Sequence, residues 1–148
     1  MAPMLTTTNS AAETRALGEK FAETLAPGDT VVLEGQLGAG KSEFTRGIAR
    51  GLGVRETVTS PSFTILNVYE SGRCPLYHFD WYRLESEDEL YEMGMDEYLG
   101  GDGIAVVEWA ERCPDAVPDR VIRVRLEVTG DETRQIEIDG ENDEPACD

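Results

Sequence analysis

Eight consecutive residues, Gly35-Gln36-Leu37-Gly38-Ala39-Gly40-Lys41-Ser42, follow the pattern G-x-x-x-x-G-K-[ST] without a mismatch. That spacing suits the holding of phosphates. The glycines let the backbone wrap so that its N–H groups point inward, and a following helix adds its N-terminal amides and dipole. Lys41 reaches the β- and γ-phosphates, and the Ser42 hydroxyl can ligate Mg2+. Average residue frequencies put a chance match in such a chain at about 1%. Guanine-specific phosphate loops usually add an N/T-K-x-D motif. The only two lysines, Lys20 and Lys41, cannot supply one, which favours ATP by elimination.

Phosphoryl chemistry at such a loop needs a second carboxylate for the metal and a group that orients water. Two acids stand at the ends of apolar runs: Glu108 after Ile104-Ala105-Val106-Val107, and Asp80 after Leu76-Tyr77-His78-Phe79. Ligands of open α/β sheets sit outside the carboxyl ends of the strands, so both acids could converge on one magnesium ion. His78, the sole histidine, fits either a hydrogen-bonded core position or the site; Trp109 directly follows Glu108.

The elements that must position these residues are legible in outline. Thr30-Val31-Val32-Leu33 is a short, β-branched apolar run entering the glycine-rich turn, and Ser42–Leu52 reads as a helix ending near Gly51 and Gly53. Upstream, Ser10-Ala11-Ala12-Glu13 matches a capping box, with Leu17, Phe21 and Leu25 at helical spacing and Pro27-Gly28 as the stop. Phe63–Tyr69 and Leu76–Phe79 read as strands joined by a hairpin turn, Ser86–Leu99 as one or two short helices, and Ile104–Val107 as a strand buried on both faces. Val121–Val128 and Arg134–Asp139 alternate as an antiparallel, half-solvated pair at a sheet edge. The expected fold class is α/β: a P-loop NTPase-like central parallel sheet flanked by helices, with antiparallel edge strands. Residues 1–139 form one domain in this reading, and 140–148 a short acidic tail, disordered for want of apolar residues.

Composition narrows the function. With 30 acidic against 13 basic residues the formal net charge is −17. A domain gripping nucleic acid by itself normally carries a basic face, so the charge argues against strong direct binding of RNA or DNA. Acid richness with few lysines suits a salty cytoplasm, where screening weakens self-repulsion. The N-terminus lacks the basic and apolar regions of a signal peptide, and no apolar run approaches the ~20 residues of a membrane span. The chain is accordingly read as soluble and cytoplasmic. Three widely spaced cysteines, Cys74, Cys113 and Cys147, argue against a zinc site and a disulfide framework.

Four blocks occur in order: Gly35–Ser42, Thr59-Ser60-Pro61-Ser62-Phe63, His78-Phe79-Asp80-Trp81-Tyr82-Arg83 and Val107-Glu108-Trp109-Ala110-Glu111. Together they resemble the TsaE (YjeE) family, the ATPase of bacterial tRNA threonylcarbamoyladenosine formation, over about residues 10–128. The resemblance implies ATP hydrolysis supporting the modification of adenosine 37 in tRNAs that read ANN codons. TsaB and TsaD would be the partners, with tRNA contacted through them. It further implies a nucleotide site built from Gly35, Leu37, Gly38, Ala39, Gly40, Lys41, Ser42, Glu43 and Trp109. Magnesium would be held by Ser42 and Glu108, with Asp80 assisting metal or water, and Thr59–Phe63 would be a mobile switch loop. Lys41, Asp80 and Glu108 are the expected catalytic set. No catalytic arginine is assigned, Arg83 being only a suggestion. The sequence departs from the family in Ser42 and Glu43, where two threonines are common, and in Ser62. Rival readings are a small P-loop kinase and a non-catalytic nucleotide-sensing module.

Overall fold

The computed structural model describes residues 4–36, 38–61 and 64–140. In chain order the elements are β1 (Met4–Thr8), α1 (Ala11–Ala22), β2 (Thr30–Glu34), α2 (Lys41–Leu52), β3 (Leu66–Tyr69), β4 (Leu76–Asp80), α3 (Glu87–Glu92), β5 (Ile104–Glu108), β6 (Ile122–Val128) and β7 (Arg134–Gly140). Three short 3-10 turns lie at Met95–Tyr98, Ala110–Arg112 and Pro114–Ala116. The seven strands form one sheet in the order β1-β7-β6-β2-β5-β4-β3. The central four, β6, β2, β5 and β4, are mutually parallel, while β3 and β7 run antiparallel to their inner neighbours. This is the expected α/β class. Among the described residues no helix is long and apolar enough to cross a membrane.

Period-two alternation divides the core. On β2, Val31 and Leu33 join the cluster that includes Phe21, Phe44, Ile48 and Leu52 of the two long helices, whereas Val32 packs on the opposite face with Phe79, Trp81 and Leu90. On β5, Ile104 and Val106 face the helices and Ala105 and Val107 the other layer. Both faces of the central strands are thus covered, as parallel strands require.

The two long helices touch backbone to backbone. A Cβ placed on Gly47 would lie 2.0 Å from the Arg15 carbonyl oxygen, and one on Gly18 would lie 2.4 Å from that of Phe44. Glycine within a helix costs about 1 kcal/mol relative to alanine; here it permits α1 to lie directly on the helix that carries Lys41. Gly47→Ala is therefore expected to lower the free energy of unfolding by about 3 kcal/mol through overpacking. A urea titration measures this, and an unchanged midpoint would contradict the close approach.

Some local expectations are corrected. β1 is an edge strand paired antiparallel with β7, so β6 and β7 lie inside the sheet rather than at its edge. Helix α1 ends at Ala22, before Pro27-Gly28, although Leu25 beyond it is still buried. The Ser10 hydroxyl accepts from the Glu13 amide as a capping box requires, but the Glu13 carboxylate takes the amide of Asn9 rather than that of Ser10. β3 begins only at Leu66, because Ile65 sits at φ +70°. Gly140, expected in the tail, closes β7 opposite Ile122. Leu37, Ser62, Phe63, the remainder of the tail and Cys147 lie outside the described residues. Cys74 and Cys113 are buried free thiols.

Candidate nucleotide-binding site

The glycine-rich loop joins β2 to α2. Gly35 leaves the strand where a Cβ would come within 2.8 Å of the Leu126 carbonyl oxygen on β6. The Ala39 amide donates to the Gln36 carbonyl, and Gly40 caps α2 at φ +101°, a left-handed conformation that suits glycine. Helix α2 starts at Lys41, which places that side chain and Ser42 at its positive end.

Strand parity brings the acids to the same place. Asp80 ends β4 and Glu108 ends β5, and the two are paired in register. Alternation puts Leu76, His78 and Asp80 on the face occupied by α2, and Ile104, Val106 and Glu108 likewise. Glu108 Oε1 stands 3.8 Å from Lys41 Nζ, and Glu108 Oε2 lies 2.8 Å from His78 Nε2. Asp80 Oδ1 accepts from the Tyr82 amide at 3.0 Å. Trp109, at φ +61°, presents its ring 5.5 Å from Lys41 Nζ and 4.8 Å from the Tyr82 ring. A non-glycine residue in this conformation stores about 1–2 kcal/mol of strain, held here at the rim of the site.

These groups line a cleft of about 1140 Å3. Its walls include Gly38, Gly40, Lys41, Ser42 and Glu43 of the loop and helix, together with Ser60, Asp80, Arg83, Glu108 and Trp109. Three lining side chains are cationic (Lys41, Arg83 and Arg134) and five are acidic (Glu43, Asp80, Glu108, Asp131 and Glu132). Glu43 is not directed only at the loop, since its carboxylate binds Arg15 at 3.1 Å and Arg46 at 2.8 Å. Among the described residues no three acidic, histidine or cysteine side chains gather as a self-sufficient metal site. Ser42, Asp80 and Glu108 are nevertheless a hard oxygen set, the kind that takes Mg2+ when substrate phosphates complete the shell. A polyanion entering a cleft with five carboxylates also calls for such a counter-ion.

Burial pushes the Asp80 carboxyl above its ordinary range; the donating Tyr82 amide opposes this, and the nearby Glu108 adds to it. A native value above the unfolded one means that the folded chain binds this proton more readily. Stability therefore falls as pH rises from the unfolded carboxyl value, about 3.9, through the native one, and stays reduced above it. In the metal- and nucleotide-free protein, Asp80→Asn is expected to raise the melting temperature at pH 7 and to lose that advantage below about pH 4. Thermal scans at the two pH values check it; a lower melting temperature for the variant at pH 7 would refute it.

The family model described as "Threonylcarbamoyl adenosine biosynthesis protein TsaE" matches residues 8–136. The chain belongs to the TsaE family. A relative from Bacillus subtilis named tRNA threonylcarbamoyladenosine biosynthesis protein TsaE is 44% identical over 124 residues, covering 84% of this chain and 77% of its own. A Treponema pallidum protein of the same name is 42% identical over 129 residues, covering 87% and 95%. The crystal structure of Bacillus subtilis YdiB superposes with a TM-score of 0.80 at 37% identity, covering 93% of this chain and 84% of that one.

Measured against the TsaE blocks, the structure gathers Lys41, Ser42, Glu43, Asp80, Glu108 and Trp109 in one cleft, together with Ser60 of the segment expected to switch. That segment is tied to β3: the Thr59 amide donates to the Tyr69 hydroxyl and Asn67 donates to the Thr59 carbonyl. Sequence reading missed Arg134, which lines the cleft and donates to the Gly38 carbonyl at 3.1 Å. It also missed the contributions of Ser10, Ala11 and Thr14 from the start of α1, and of Asp131 and Glu132 from the β6–β7 turn. No local pattern marks them.

Proposed function

We propose that this chain binds ATP with Mg2+ in the cleft and hydrolyses it in support of threonylcarbamoyl modification of adenosine 37 in tRNAs reading ANN codons. TsaB and TsaD are its partners in this reading. The observation that carries it is the opposition of Lys41, at the start of α2, to the register-paired strand-end acids Asp80 and Glu108. The names of the TsaE relatives support the pathway.

In this reading the loop amides and Lys41 hold the triphosphate, and Trp109 borders the nucleotide. Ser42 and Glu108, with Asp80 beside them, would hold the metal, which when bound would supply charge neutralisation to the phosphates. Asp80 orients the attacking water, and its raised pKa suits a group that exchanges a hydrogen bond or proton there. Neutralising charge contributes more to lowering the barrier than removing the proton. The strongly acidic surface suits a subunit that docks on protein and reaches tRNA through its partners.

Phosphate release from labelled ATP, measured with and without the purified TsaB–TsaD complex, tests the proposal. Slow release of free phosphate by the chain alone and faster release with the complex are expected. Transfer of the label to an added acceptor would identify a kinase, and no release under either condition a nucleotide sensor.

A further inference from the structure

His78 is buried within β4, only 1% exposed, where an apolar side chain would fill the strand at lower cost. Its Nε2 lies 2.8 Å from Glu108 Oε2, while Nδ1 has no hydrogen-bond partner among the described residues. A carboxylate only accepts, so Nε2 carries the proton and donates, and in the neutral ring Nδ1 is left as an acceptor. The ring also borders a small recess with Ser42, Val58, Thr59 and Ser60, next to the hydroxyl that the metal would use.

Glu108 is thus held from two sides, by His78 at Oε2 and by Lys41 at Oε1. The two contacts are not equivalent. A triphosphate in the cleft would draw Lys41 to its phosphates and release Oε1, whereas the partner of Oε2 is a ring buried in the sheet. We propose that His78 is a positioning residue that clamps Glu108 through Oε2, leaving Oε1 on the cleft side for the metal once Lys41 has engaged the phosphates. The inference rests on reading the cleft as a magnesium–nucleotide site and assigns the orientation of its metal carboxylate to one buried ring.

Glutamine and asparagine separate the donor from the bulk. In H78Q the side-chain amide can place an N–H where Nε2 stands; in H78N the shorter amide reaches only the level of Nδ1. The full chain and both variants are titrated with ADP, with and without Mg2+, by intrinsic tryptophan fluorescence, to which Trp81 and the cleft-lining Trp109 contribute, and their melting is followed by circular dichroism. We expect H78N to need about tenfold more Mg2+ for half-saturation than the wild-type chain, the usual scale for losing a hydrogen bond that orients a metal ligand. H78Q should restore the wild-type requirement, with metal-free ADP affinity the same in all three. An unchanged Mg2+ requirement in H78N overturns the inference, as does an equal defect in H78Q and H78N, which would mark a packing role alone. Absence of any ADP response in the wild-type chain would instead overturn the nucleotide-site reading, and this inference with it.

Discussion

Lys41→Ala is expected to weaken ATP binding by at least about 100-fold and to abolish measurable turnover. Hydrogen bonds from a charged donor contribute about 1.5–3 kcal/mol each, and two to the β- and γ-phosphates together exceed the ~2.8 kcal/mol of a hundredfold change in affinity. The loss is compounded by what remains. Lys41 stands 3.8 Å from Glu108, whose side chain is only 10% exposed, and it also faces the Trp109 ring. Without the ammonium, the Glu108 carboxylate confronts the incoming phosphates with its charge no longer answered at Oε1. Calorimetric titration with Mg-ATP reads the effect, and affinity within a few-fold of the wild-type chain would remove the phosphate-loop site.

Glu108→Ala should separate binding from chemistry. Removing this carboxylate frees Lys41 and takes one negative charge from the cleft, so metal-free nucleotide affinity is expected to be unchanged or tighter. Magnesium-dependent turnover should fall by about 100-fold, because the charge developing in the transition state loses part of its preorganised surroundings. The variant also leaves the His78 Nε2–H unpaired in a buried setting, at a cost of about 1–3 kcal/mol in stability. Glu108→Gln keeps the shape and serves as the control for folding. Phosphate release at saturating ATP is the measurement, and unchanged turnover in both variants would deny Glu108 a metal role.

The legible parts were those whose signal is local. A β-branched run, a glycine-rich turn and an amphipathic helix follow one another within Thr30–Leu52, and β2, the loop and α2 form there. Strand-end acids were visible in the same way, since Asp80 and Glu108 each close an apolar run. That they are neighbours was not visible. It follows from β4 and β5 being adjacent, parallel and in register, which strand pairing decides across an intervening stretch that contains α3. His78 stood between two readings for the same reason; a buried strand histidine and a carboxylate clamp look alike until the neighbouring strand supplies Glu108.

The misses share one cause. β1 has three threonines but no alternation of apolar and polar residues, and mostly exposed side chains, so it becomes a strand only because β7 offers it an open edge. Glu43 stood in the sequence only as a departure from the family's threonine, and its ion pair with Arg15 exists because α1 lies against α2. Arg134 carries no motif, and reaches Gly38 because the β6–β7 turn folds over the loop.

By itself, then, the sequence determined the α/β class, the phosphate-type loop, the family blocks and the apolar runs of the central strands, since all of these depend on residues close together in the chain. The tertiary structure decided which acids face the lysine, that Arg15 answers Glu43 and Arg134 the Gly38 carbonyl, and which edge closes the sheet. Those are choices between many chemically equivalent partners, made by strand order and helix docking over separations that no local pattern spans.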